Sequence, residues 1–170
     1  MSALLFREHC PGPFLVIAPV STISAWLEAL QTWIPAARVL LLDGDKEDRE
    51  VVCDTFYQDD VLSFHILITS PDIALKEQRN LMDIKWRLLC IDEAHQLKNE
   101  KSQRNSVFKQ LVCDAILLMT ATPLHNSLSE LCNLLSFIEP KLEKKLQYLC
   151  EQFSITDFGK ALQQCHLTSL

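Results

Sequence analysis

A chain of 170 residues is long enough for one domain with a real core and too short for two of full size. Its 48% hydrophobic and 22% charged residues exclude a disordered chain, and no apolar run reaches the roughly 18 residues that a membrane span needs. The net charge of −6 excludes bulk electrostatic attraction to nucleic acid, so any such contact has to be local or shared with other parts of a larger machine.

In chain order, short apolar runs alternate with longer amphipathic ones. The start, MSALLFREHCPGPF, carries no basic leader and no cleavage-type site, so no secretory signal is expected. FLVIA (14–18) reads as a buried strand, and ISAWLEALQTWI (23–34) as a helix with Ser21 or Thr22 as its N-cap. RVLLL (38–42) is a second strand closed by the Asp43–Gly44 turn, and KEDREVVCDTFY (46–57) a helix. FHILIT (64–69) is a third strand, followed by a helix from Pro71 to Met82. WRLLCID (86–92) and AILLMT (115–120) are the fourth and fifth strands, separated by a helix at 101–111. SLSELCNLLSFI (127–138) is a helix, and Pro140 breaks the chain before a last helical stretch at 141–152.

Strand and helix alternating five times, with strands that are apolar throughout, predict an α/β fold: a three-layer parallel sheet of about five strands with helices on both faces. No internal repeat or low-complexity linker is present. The simplest division is one domain over 1–140 and a helical appendage over 141–170. Ligands of such sheets bind outside the carboxyl ends of the strands. Polar groups stand there in this chain: Pro19, Ser21 and Thr22 after the first strand, Thr69 and Ser70 after the third, Asp92 and Glu93 after the fourth, Thr120 and Thr122 after the fifth.

The stretch LLCIDEAHQLKN (88–99) drives two adjacent carboxylates into the mouth of a buried strand. Like charges side by side repel and each resists leaving water, so the pair calls for a cation or a solvated strand end. A nucleotide hydrolase supplies the cation: the first carboxylate holds magnesium, usually through water, and the second orients the attacking water. A plain strand followed by an acidic loop is the alternative. Ser21–Thr22 also reads as a helix cap, and Thr69–Ser70 before Pro71 as a turn into a helix. Trp26, Trp33 and Trp86 read as packing residues, and Lys98, Lys101, Arg104 and Lys109 as a solvated helix face or a phosphate track. The seven cysteines form no CxxC pair and sit mostly in apolar stretches, which suits reduced thiols of the cytosol or nucleus.

Five ordered stretches resemble the first RecA-like lobe of the Swi/Snf-type chromatin-remodelling ATPases of helicase superfamily two. They are PGPFLVIAPVSTISAW (11–26), DGDKEDRE (43–50), ILITSPDIAL (66–75), IKWRLLCIDEAHQLKNEKS (84–102) and LLMTATPLHNSLSELCNLLSFIEP (117–140). The TPLxN run after the threonine motif separates the chain from the DEAH-type RNA helicases, which share the four letters.

The resemblance implies roles residue by residue. Asp92 holds magnesium through water, Glu93 activates water, and His95 links the nucleotide site to the threonine motif. Thr120 and Thr122 couple nucleotide state to lobe closure, while Pro19, Ser21, Thr22, Thr69 and Ser70 lie on the DNA track. The implied cofactors are ATP and magnesium. The implied partners are double-stranded DNA, nucleosomes and a second RecA-like lobe, with no membrane, and the implied location is the nucleus. Ala121 stands where the family usually has glycine, and His125 where it has glutamine.

A P-loop, GxxxxGK[ST], is not among these 170 residues: five positions after Gly12, Gly44 and Gly159 come Ile17, Arg49 and Gln164. Residues 2–9 resemble the helix that follows the P-loop in relatives. The expectation is therefore an incomplete RecA-like lobe, part of a DNA translocase motor and inactive by itself, or else an inert interaction module or decoy derived from one.

Overall fold

The computed structural model describes residues 12–97, 99, 102–121, 128–142, 144–146 and 148. Five parallel strands form one sheet: β1 (Phe14–Ile17), β2 (Val39–Leu42), β5 (Ile66–Thr69), β6 (Leu88–Ile91) and β7 (Ile116–Leu118), in the order β2-β5-β1-β6-β7. The first strand is thus central, and every residue of β1, β5 and β6 is buried.

Alternation sorts the strand side chains into two apolar layers. Phe14, Val16, Ile66, Ile68, Leu88 and Cys90 pack with Ile23, Leu30 and Ile34, so α1 (Val20–Trp33) covers that face. Leu15, Ile17, Leu67, Leu89 and Ile91 face the other way. They meet α3 (Pro71–Lys76), α4 (Gln78–Met82), α5 (Gln103–Phe108) and α6 (Leu128–Ile138) through Ile73, Leu81, Phe108 and Phe137. This is the expected three-layer α/β sheet. Continuous apolar strands were its signature because both faces are covered.

The local departures have physical causes. The helix expected over 46–57 is α2 (Lys46–Asp54), opened by a reciprocal capping box between Asp45 and Asp48. It stops early because Tyr57–Gln58 (β3) pairs with Val61–Leu62 (β4) in a hairpin. Asp59 and Asp60 turn that hairpin at φ of 50° and 61°, a left-handed conformation that aspartate tolerates better than most residues. The helix expected from Pro71 to Met82 breaks at Glu77 into α3 and α4.

The break coincides with a buried ion pair: Arg49 Nε donates to Glu77 Oε1 at 2.8 Å, and Arg49 Nη1 donates to the Gly44 carbonyl at 2.9 Å. Cys53, Cys90 and Cys113 are free thiols, as the reading of reduced cysteines expects, but Cys132 on α6 is disulfide-bonded, which corrects it there. Among the described residues no helix is long and apolar enough to cross a membrane. The helix read at 2–9 and half of the stretch read at 141–152 lie outside the described residues, which include a short 3-10 turn at Pro140–Leu142.

Candidate functional site

The carboxyl ends of β1, β6 and β7 bring the candidate residues to one rim. Strand β6 delivers Asp92 between its two neighbours, and backbone bonds fix the turn from both sides. The Asp92 amide donates to the Ile17 carbonyl of β1 at 2.8 Å, and the Ala94 amide donates to the Met119 carbonyl beyond β7 at 2.8 Å. Between them Glu93 has φ of 50°, a left-handed backbone costing about 1–2 kcal/mol for a residue with a Cβ. The chain then enters a 3-10 turn, Ala94–Leu97, whose Gln96 amide donates to the Glu93 carbonyl.

Three donors hold the Asp92 carboxylate. Oδ1 accepts from the Glu93 amide at 2.9 Å, and Oδ2 accepts from Trp26 Nε1 at 3.0 Å and Thr22 Oγ1 at 3.3 Å. A carboxylate offers about four lone-pair sites, so one remains, on Oδ1. Glu93 Oε2 lies 3.0 Å from His95 Nδ1, and Oε1 has no protein partner among the described residues. Both side chains are partly exposed.

Neither carboxylate pairs with a lysine or arginine among the described residues. No cluster of three histidine, cysteine or acidic side chains suited to a metal occurs there either. One open lone pair on Asp92 and one open oxygen on Glu93 do not make a protein cage. They do fit magnesium, a hard cation that keeps several waters and takes one or two carboxylates beside its phosphates. Beneath the pair lies Cys90, whose thiol is pushed up to about 11, first by burial and then by the Asp92 charge.

The other predicted residues divide. Pro19 precedes α1 as its N-cap residue, so Ser21 and Thr22 sit within the first turn and not at the cap, contrary to the cap reading. Proline fixes the entry angle there without any side-chain cap bond, and Thr22 Oγ1 lies 3.1 Å from the Pro19 carbonyl. Ser21 is exposed at the rim. Thr69 is fully buried and donates to the Leu42 carbonyl at 2.8 Å, while Ser70 caps α3 by accepting from the Ile73 amide. Their hydroxyls are committed inside the protein.

Thr120 is half-buried just past β7. Thr122, His125, Lys98 and Lys101 lie outside the described residues. Arg104 joins α5 to Gln96 and, at 2.7 Å, to Asp72, an intramolecular bridge. Trp86 is buried against Phe64, and Trp33 is 76% exposed.

Sequence reasoning placed Trp26 in the packing and missed its bond to Asp92. The available signal was its position four residues after Thr22, on the same helix face.

The model of the SNF2-related domain matches residues 2–167. The ISWI chromatin-remodeling complex ATPase ISW1 of Saccharomyces cerevisiae is 38% identical over 168 residues, 96% of this chain and 15% of that protein. The lymphoid-specific helicase of Homo sapiens is 34% identical over 163 residues, 95% of this chain and 20% of that one. The chain thus spans a fifth or less of these relatives' lengths. The solved Sulfolobus solfataricus SWI2/SNF2 ATPase core in complex with dsDNA matches with a TM-score of 0.70 and 26% identity, over 83% of this chain and 28% of that one. The five-stranded parallel sheet, the carboxylate turn at its rim and these likenesses agree: the chain belongs to the SNF2-related domain family, as a partial N-terminal RecA-like lobe.

Proposed function

We propose that these residues form part of the ATP-dependent DNA translocase motor of a nuclear chromatin remodeller, with Asp92 and Glu93 at its hydrolytic centre. The observation that carries this is the Asp92–Glu93 turn. Two carboxylates without a lysine or arginine partner among the described residues stand at the carboxyl end of an inner strand, Asp92 with one lone pair and Glu93 with one oxygen left for a ligand. When bound, magnesium and ATP supply the phosphoryl group and the charge that screens it. Asp92 would hold the metal, directly or through a water, at the remaining lone pair of Oδ1. Glu93 receives a proton from the attacking water at its open oxygen, and His95 holds the other oxygen in place. Thr120 and Thr122, following β7, report the nucleotide state to the lobe interface.

The DNA side is the start of α1. The Val20 and Ser21 amides and the Ser21 hydroxyl suit phosphate oxygens, which position a duplex without reading its bases. Pro19 and Thr22 set the geometry of that turn, while Thr69 and Ser70 shape the neighbouring rim through their internal bonds. The dsDNA of the Sulfolobus solfataricus complex supports this partner. Nucleosomes and a second RecA-like lobe are the further partners of this reading, which the chromatin-remodelling relatives support only at the level of the family, and residues 141–170 are its appendage to the lobe.

A second reading rests on a different observation. No GxxxxGK[ST] occurs within these 170 residues, and without it nothing here cradles the β- and γ-phosphates. Acting by themselves, the 170 residues are then a catalytically inert interaction module.

A chimera in which residues 12–140 replace the matching segment of the yeast relative separates the two. We expect DNA-stimulated ATP hydrolysis that Glu93→Gln abolishes while ATP still binds. Thr122→Ala should reduce DNA stimulation more than basal turnover. Turnover that survives Glu93→Gln removes the hydrolytic assignment, and a chimera with no hydrolysis at all favours the inert module.

A further inference from the structure

The contact between Trp26 and Asp92 joins segments 66 residues apart at a distance of 3.0 Å. Thr22 reaches the same oxygen, but its hydroxyl has one proton and two candidate acceptors, the Pro19 carbonyl at 3.1 Å and Asp92 Oδ2 at 3.3 Å. It serves one at a time. The indole N–H has a single acceptor, Asp92 Oδ2, and is the fixed tether. The partly buried ring of Trp26 packs against the apolar layer that includes Val16, Ile68 and Cys90, which restricts its movement. With Oδ2 filled and Oδ1 sharing the Glu93 amide, the open lone pair has one fixed location.

We propose that Trp26 is a positioning residue for Asp92: its indole orients the carboxylate toward a divalent cation and ties the DNA-side end of α1 to the hydrolytic turn. The inference rests on the metal-holding role of Asp92 proposed above. It predicts a physical link in which a displacement of α1 at Ser21 or Thr22 is felt at the carboxylate. Groups that orient a metal ligand typically change metal affinity by about 10–100-fold when removed. Trp26→Phe keeps the ring and removes only the donor, so a loss of about tenfold is expected.

The test uses the 170-residue chain, with manganese(II) as the cation and amide resonances as the readout. Progressive broadening of the Glu93 and Ala94 amides gives a midpoint local to the turn. We expect Trp26→Phe to raise that midpoint about tenfold, Asp92→Asn to abolish the response, and Trp33→Phe, at an exposed indole, to leave it unchanged. In Asp92→Asn the Trp26 indole resonance should also move, while those of Trp33 and Trp86 stay, because Trp86 Nε1 donates to the Leu81 carbonyl instead.

A midpoint unaltered in Trp26→Phe, or a Trp26 resonance indifferent to Asp92→Asn, overturns the positioning role and leaves the metal site standing. A midpoint unaltered in Asp92→Asn overturns the metal role, and the inference falls with it.

Discussion

The ion pair between Arg49 and Glu77 is the sharpest place to test the packing logic. Arg49 has 9% of its side chain exposed and Glu77 15%, and the pair bridges the Asp43–Gly44 turn to the junction of α3 and α4. Glu77→Leu keeps much of the volume and strands a guanidinium in a desolvated site. Breaking a buried pair this way costs about 3–5 kcal/mol. The surviving bond from Arg49 Nη1 to the Gly44 carbonyl puts this case near the lower end, about 3 kcal/mol. That is a large share of a domain stability of about 5–15 kcal/mol.

In urea unfolding at neutral pH the midpoint should fall by about 1.5 M, with the slope unchanged. The double change Arg49→Met with Glu77→Leu removes both charges and should recover most of the loss, because apolar replacements of a buried pair are often neutral. A single-variant loss below about 1 kcal/mol would refute the desolvation argument. So would a double variant no more stable than Glu77→Leu.

Three further outcomes test other parts of the fold. Gly12 has φ of 95°, and a Cβ there would lie 2.5 Å from the His65 backbone oxygen, so Gly12→Ala should lower the unfolding midpoint. Gly44 shares the positive φ, and its Cβ would meet Asp48 Oδ2 at 2.7 Å and Asp48 Cβ at 2.9 Å, so Gly44→Ala should be destabilising too and should disturb the Asp45–Asp48 capping box. The raised Cys90 thiol means the native state holds that proton more tightly than the unfolded state. Its contribution is therefore full below pH 9.0 and is lost as pH rises toward about 11; stability curves of Cys90→Ala should lack that alkaline slope.

On β7, Leu117 is 45% exposed, and among the described residues only β6 pairs with the strand. Amide exchange at Ile116–Leu118 should be at least about tenfold faster than at Phe14–Ile17 or Leu88–Ile91, and Leu117→Lys should reduce self-association. Equal protection across the three strands would show that the outer flank is covered.

What the sequence disclosed depends on how far apart the cooperating residues lie. β1, β5 and β6 were legible because burial on both faces forces every position to be apolar, and that is a local property. The hairpin at 57–62 was not, since Phe56 and Tyr57 extend an apolar helical pattern and only the left-handed Asp59–Asp60 turn breaks it. The break at Glu77 was hidden for a different reason: its partner Arg49 is 28 residues away. Thr69 and Ser70 were read both as a DNA-side pair and as a turn, and their internal bonds accord with the turn.

The adjacent carboxylates posed the question that length and composition could not answer, namely what compensates them. No lysine or arginine does so among the described residues. Asp92 is met by three neutral donors and Glu93 by one imidazole. Neutral donors orient a charge and lower its cost, but they do not cancel it. The fold has therefore fixed the geometry of two carboxylates without placing a lysine or arginine beside them among the described residues. A rim built this way favours whatever brings positive charge to the open oxygens, and it does so only while α1 holds Asp92 in position.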